Sequence, residues 1–154
     1  MHVVANCSKK MEDLQDALVH MYFSQFQRVR LSDDDAYYQG DIASDVLGGQ
    51  VTLRLQYMPT LPEVCPLLFV WNPIAIPLNP EVFPGETINS KGCCHNFHTN
   101  SNGPGGRVSI CHINASMWDP SMVYVQVLLK GAMWLNAYEG HLQTGQPISE
   151  YFCP

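Results

Sequence analysis

The chain has 154 residues, 46% of them hydrophobic and 14% charged, a length that suits one hydrophobic core and a composition that excludes intrinsic disorder and a coiled coil. Eight Lys and Arg against fourteen Asp and Glu give a net charge of −6, so no basic surface is available to neutralise nucleic-acid phosphates. No basic segment followed by an apolar run opens the sequence and no stretch approaches roughly 18 consecutive apolar residues, which predicts a cytoplasmic protein with no membrane partner and with its six cysteines reduced.

From residue 10 to about 28, Met11, Leu14, Leu18, Met21, Tyr22 and Phe26 recur at three- and four-residue steps, with Glu12, Asp13, Asp16 and Gln25 between them. That spacing predicts an amphipathic helix capped by Ser8, with acidic residues in its first turn. The run Asp33-Asp34-Asp35 breaks the period, and Tyr37-Tyr38 with Asp41-Ile42 predict a first strand ahead of a turn at Gly48-Gly49. Strict alternation follows. Val51, Leu53, Leu55 and Tyr57 fall on one face and Thr52, Arg54 and Gln56 on the other, the period of a half-buried strand.

Pro59, Pro62 and Pro66 make the next segment a rigid extended connection, after which Leu67-Leu68-Phe69-Val70-Trp71 reads as a buried strand. Residues 72 to 106 are loop-like, punctuated by prolines and closing on Gly103-Pro104-Gly105-Gly106. Long ordered loops in small domains are where function concentrates. A second long helix is predicted over about 121 to 143, with Pro120 in its first turn and Gly145-Gln146-Pro147 at its exit. Its apolar face would comprise Met122, Val125, Leu128, Leu129, Met133, Leu135, Tyr138 and Leu142. The order of elements predicts a single α+β domain over residues 1–154, its helices on one side of a small antiparallel meander.

Two chemistries compete for the stretch Cys93-Cys94-His95-Asn96-Phe97-His98-Thr99-Asn100 and the segment Gly106 to His112. Thiolate and imidazole are the ligands zinc prefers, so Cys93, Cys94, His95, His98, Cys111 and His112 could supply a site, but adjacent Cys93-Cys94 and Cys111-His112 lack the paired spacing of common zinc knuckles. The alternative makes Cys111 a nucleophile, since a thiolate both attacks an activated acyl group and leaves readily afterwards. That reading needs no metal and no organic cofactor.

His98-Thr99-Asn100, then Gly106 to Ile110-Cys111, then Trp118-Asp119-Pro120 resemble the active-site segment of ubiquitin-conjugating enzymes, in which a His-Pro-Asn tripeptide precedes the cysteine and a Trp-x-Pro follows it. Gly48-Gly49-Gln50-Val51 through Tyr57-Met58-Pro59, and Pro62 to Trp71, are similar to the family's Gly-Gly strand, proline-rich turn and third strand. The resemblance covers roughly residues 10 to 145 and implies a ubiquitin-conjugating-enzyme-like fold. Trp134-Leu135-Asn136-Ala137-Tyr138-Glu139 and Leu142-Gln143-Thr144-Gly145 resemble the bacterial branch found in antiphage operons, the Bil-type ubiquitin-like conjugation systems first and the short CBASS type second.

The resemblance implies that Cys111 accepts a ubiquitin-like protein from an activating enzyme and passes it to a target protein, a phage protein or a nucleotide cyclase. It implies that Asn100 donates a hydrogen bond to the developing oxyanion, an interaction whose loss costs about 3 kcal/mol, and that His98 holds the loop's shape. Against the family's pattern, Thr99 stands in the proline's place and eleven positions rather than eight separate Asn100 from Cys111. A non-catalytic variant that only binds the ubiquitin-like protein or the activating enzyme is the alternative those departures allow.

Overall fold

The computed structural model of the chain describes residues 2–152, with side chains from residue 9 onward. Among them, helix α1 (His2–Tyr22) precedes strands β1 (Gln27–Arg30), β2 (Ala36–Ser44), β3 (Gly49–Tyr57) and β4 (Leu67–Asn72). Short strands β5 (Thr99–Asn100) and β6 (Ser109–Ile110) follow a long connection, and helix α2 (Tyr124–Thr144) comes after them. The strands form one antiparallel sheet in the order β1-β2-β3-β4-β6-β5, so the architecture is α+β. No helix of the described residues is long and apolar enough to cross a membrane.

Strand β3 follows the alternation of its sequence: Val51, Leu53, Leu55 and Tyr57 are buried and the residues between them are not. Its neighbours keep the same parity. Leu55, Leu68, Ile110 and Thr99 are register partners across β3, β4, β6 and β5 on the buried face, while Arg54, Phe69, Ser109 and Asn100 are partners on the outer face. This split decides which side chains can reach a ligand on the sheet's open side. There the Arg54 guanidinium lies between Tyr37 and Trp71, 3.8 and 3.4 Å from their ring centres, and that of Arg107 lies 4.0 Å from the centre of Trp71.

The first helix differs from its expected span of 10 to 28 and from its expected face. It ends at Tyr22, contains Ser8 rather than being capped by it, and leaves Phe26 to pack separately. Leu14 is 48% exposed and Met21 and Tyr22 are more so, whereas Gln15 is 4% exposed beside buried Val19. Gln15 is the physical reason. Its Nε2 donates to the Met122 carbonyl at 3.0 Å and its Oε1 accepts the Tyr124 N–H at 2.7 Å, which turns a polar position inward and supplies one of the orphan donors at the start of α2.

Helix α2 starts three residues later than the expected 121, with Val123 as its N-cap residue. Pro120 therefore lies in a turn closed by Met122 N–H to the Asp119 carbonyl at 2.9 Å, not in the helix. The buried face is Tyr124, Val127, Leu128, Gly131, Trp134, Leu135, Ala137, Tyr138 and His141, while Leu129 and Met133 are exposed. The helix exits at Gly145 in the left-handed conformation, φ 77°, its N–H on the His141 carbonyl at 2.7 Å, as the sequence predicts. Trp134 Nε1 donates to the Phe97 carbonyl and the Tyr138 hydroxyl to that of Pro77, so α2 anchors two points of the long connection between β4 and β5.

Candidate active site

Residues 94 to 111 fold back on themselves as a narrow ribbon. Cys94 and Thr99 exchange backbone hydrogen bonds at 3.1 Å each, closing a loop whose turn is His95–Phe97. The chain leaves that turn through His98, which has φ 50° and is the sole non-glycine residue with positive φ among the described residues. Such a conformation costs roughly 1–2 kcal/mol for a residue with a Cβ. The packing offsets it: the His98 ring lies 4.7 Å from the Phe152 ring and 5.5 Å from that of His95, centre to centre.

Past His98, strand β5 pairs with β6 so that Thr99 faces Ile110 and Asn100 faces Ser109. The pairing runs one step further, because the Cys111 N–H donates to the His98 carbonyl at 2.9 Å. His98 thus touches Cys111 through its backbone, and its imidazole is not part of the groove wall. Burial and neighbouring His95 push that imidazole's pKa below the ordinary value.

Alternation along β6 puts Ser109 and Cys111 on the outer face with Asn100 and Phe69, over a groove of about 1030 Å³. Leu67 and Phe69 floor it, the Ser101–Pro104 turn walls one side, and Cys65 and Cys93 also line it. Residues 101–104, between Asn100 and Cys111, form that wall. Gly103 N–H and the Arg107 carbonyl close the turn at 2.8 Å. A Cβ on Gly103 would lie 2.2 Å from the Phe69 ring, so only glycine lets the wall rest on the floor. The Asn100 carboxamide lines the groove and has no hydrogen-bond partner among the described residues.

The Cys111 thiol is half-buried, and its pKa is pushed up by that burial and by the Cys93 thiol, while Lys130 pulls it down. Cys65 is likewise raised, by burial and then by Cys111. At neutral pH the sulfur rests as a thiol. Such a sulfur is a strong nucleophile once ionised and a slow leaving group once acylated, so an ester on it persists until an attacking group is brought to it.

His112 points the other way and is buried, with its pKa lowered chiefly by desolvation. Its Nε2 lies 2.7 Å from the Pro66 carbonyl, which accepts a hydrogen from it, and 3.7 Å from Cys65 Sγ. With that nitrogen already donating, it cannot also take a proton from Cys65. Trp118 stands edge-on to His112 and donates Nε1 to the Pro62 carbonyl at 3.0 Å, a packing role.

The zinc alternative requires the 93–112 residues to converge, and they do not. Cys93 is exposed on the groove side, Cys94 packs against the core, His95 is exposed and His112 sits beneath Pro66. Among the described residues no three His, Cys, Asp or Glu side chains are grouped so as to hold a metal ion. Local words in the sequence single out Cys111, Asn100 and His98; the first two line one groove and the His98 ring lies outside it. Those words miss Cys65 and Lys130, which reach the site from the proline-rich turn and from α2, and no spacing in the sequence marks them.

No family model matches the chain, nor does any curated protein or solved structure.

Proposed function

We propose that the protein is a conjugating carrier with a ubiquitin-conjugating-enzyme-like fold, which holds a ubiquitin-like protein as a thioester on Cys111. The observation that carries this reading is the antiparallel pairing of His98-Thr99-Asn100 with Ser109-Ile110-Cys111. It brings the two ends of the sequence motif together and turns Asn100 and Cys111 to the same open groove.

In the first step the Cys111 thiolate attacks the carbonyl of the thioester held by an activating enzyme. A carbon–sulfur bond forms on Cys111 and the activating enzyme's thiolate leaves. In the second step an amine of a target protein attacks the new thioester, its proton passing to solvent, and Cys111 leaves as thiolate. Positioning supplies most of the acceleration for both steps. In this reading the Asn100 carboxamide donates to the oxyanion, and its removal is expected to slow transfer by about a hundredfold or more.

The exposed side of α1, with Lys9 and Lys10, is the surface offered to the activating enzyme. The setting we propose is bacterial antiphage defence in the cytoplasm, with a phage protein or a nucleotide cyclase as the target. The test mixes the chain with its activating enzyme, ATP and ubiquitin-like protein. The wild type forms an adduct that a reducing agent cleaves, and a Cys111→Ala variant that still forms one overturns the reading. A second reading, a binding module without thioester chemistry, is favoured by the raised Cys111 pKa. It requires that Cys111 stay unmodified when the activating enzyme is fully charged.

A further inference from the structure

Lys130 stands on the exposed side of α2 and extends its ammonium to a neutral acceptor, the His112 carbonyl, at 2.7 Å. It has no carboxylate partner among the described residues. A lysine in such a place is ordinarily solvated or paired with an acid. Here it spans from the helix to the segment that follows β6, one residue beyond Cys111.

We infer that Lys130 is a positioning residue for the Cys111 sulfur: it clips the Cys111–Ile113 backbone to α2 and sets a fixed positive charge beside the groove. The inference deepens the thioester reading and rests on Cys111 being the reacting atom. Its physical basis is the balance of groups around that atom. Cys93 shares the groove and, once ionised, disfavours a second negative charge on Cys111, and burial of the thiol does the same. His112 and His98, packed beneath and beside the segment, are both held towards their neutral forms by burial. Among the described residues, Lys130 is the one group whose charge favours the Cys111 thiolate.

A helix-borne charge has a second consequence. Because the clip is made to a backbone carbonyl, the distance from ammonium to sulfur does not depend on the conformation of a flexible acidic side chain. The charge is present both when the thiolate attacks and when it leaves, the two moments at which negative charge sits on sulfur.

The test uses the full chain as wild type, Lys130→Met and Lys130→Arg. Alkylation of Cys111 by iodoacetamide is followed by peptide mass mapping from neutral pH to about pH 11, with the thermal midpoint of each protein recorded alongside. Lys130→Met is expected to move the titration midpoint upward and to slow alkylation at neutral pH about threefold, the effect of one unit charge acting through solvent. Lys130→Arg is expected to keep the wild-type profile. In about 1 M salt the Met variant and the wild type are expected to converge, because the Debye length falls to about 3 Å.

Superimposable profiles for wild type and Lys130→Met overturn the inference, as does an Arg variant that behaves like Met. Should Lys130→Met not fold, Lys130→Gln takes its place, with the same upward shift of the midpoint expected and a wild-type profile overturning the inference. The readout needs no activating enzyme, so a shifted profile in a protein that never accepts an acyl group would leave the Lys130 inference standing while the thioester reading fell.

Discussion

The groove beside Cys111 owes its shape to one missing side chain. Gly103 rests its Cα on the Phe69 ring, where a Cβ would come within 2.2 Å of Cε1 and 2.7 Å of Cδ1. A Gly103→Val change must therefore lift the largely exposed 101–104 wall or turn the buried Phe69 ring out of the floor. Overpacking of this kind typically costs about 1–3 kcal/mol, and we expect a loss in that range in urea unfolding with a faster alkylation of Cys111 as the wall opens. Unchanged alkylation would mean that the wall does not cover the sulfur. The sequence marks Gly103 as part of a glycine-rich turn and Cys111 as a candidate nucleophile by their neighbours in the chain. It cannot show that Gly103 meets Phe69 or that Lys130 meets His112, because those contacts depend on how β4 and α2 lie against the β5–β6 ribbon.

At the scale of elements, the long connection from β4 to β5 holds only two short 3-10 turns, Ile88–Lys91 and His95–Phe97, and α2 anchors it. His141 is fully buried: its Nδ1–H donates to the Gln146 carbonyl at 2.7 Å and its Nε2 accepts the Asn79 N–H at 3.1 Å. Asn79 in turn donates Nδ2 to the Leu142 carbonyl at 2.9 Å. The Phe83, Phe97 and Tyr138 rings surround the imidazole at 6.0, 5.4 and 6.5 Å, and Asn79 on its Nε2 side is buried whereas Gln146 on its Nδ1 side is exposed. A His141→Leu change would orphan the buried Asn79 N–H at about 1–3 kcal/mol. Urea unfolding is expected to show a loss of roughly 1–3 kcal/mol, and a loss below about 0.5 kcal/mol would mean that the network carries no stability. Periodicity located both helices because each has apolar residues at helical steps. It misplaced their inward faces for the same reason in each case. In α1 a glutamine is drawn inside by two backbone partners on α2, and in α2 a glycine and a histidine occupy buried positions that an apolar count passes over. Strand β3, whose alternation is decided by burial alone, was legible residue by residue. Strand β1, short and exposed along its length, offered no such pattern.

The whole molecule responds to pH through groups that burial has displaced in opposite directions. Tyr38, Tyr57 and Tyr124 stack where α1, the sheet and α2 meet, with Tyr38 and Tyr57 5.5 Å and Tyr57 and Tyr124 4.8 Å apart. Burial raises all three pKa values, that of Tyr57 to about 12. Cys65 and Cys111 are raised as well. For each of these acids the folded state holds its proton more tightly than the unfolded chain does. Their contribution to stability is complete below the unfolded values, 9.0 for the thiols and 10.0 for the phenols, and is lost as pH climbs from there towards the folded values. His98 and His112 work from the other side. Their folded pKa values lie below 6.5, so the unfolded chain takes up protons first and stability declines as pH falls through 6.5 towards the folded values. Thermal melts at fixed ionic strength are therefore expected to give a plateau between about pH 6.5 and pH 9, with a fall on each side. The alkaline fall has a separable origin. Tyr57→Phe removes the group that titrates from about pH 10 to pH 12, so that variant is expected to lose less of its own midpoint over that interval than the wild type loses. Equal losses would place the alkaline weakness elsewhere than in the aromatic stack that joins the two helices to the sheet.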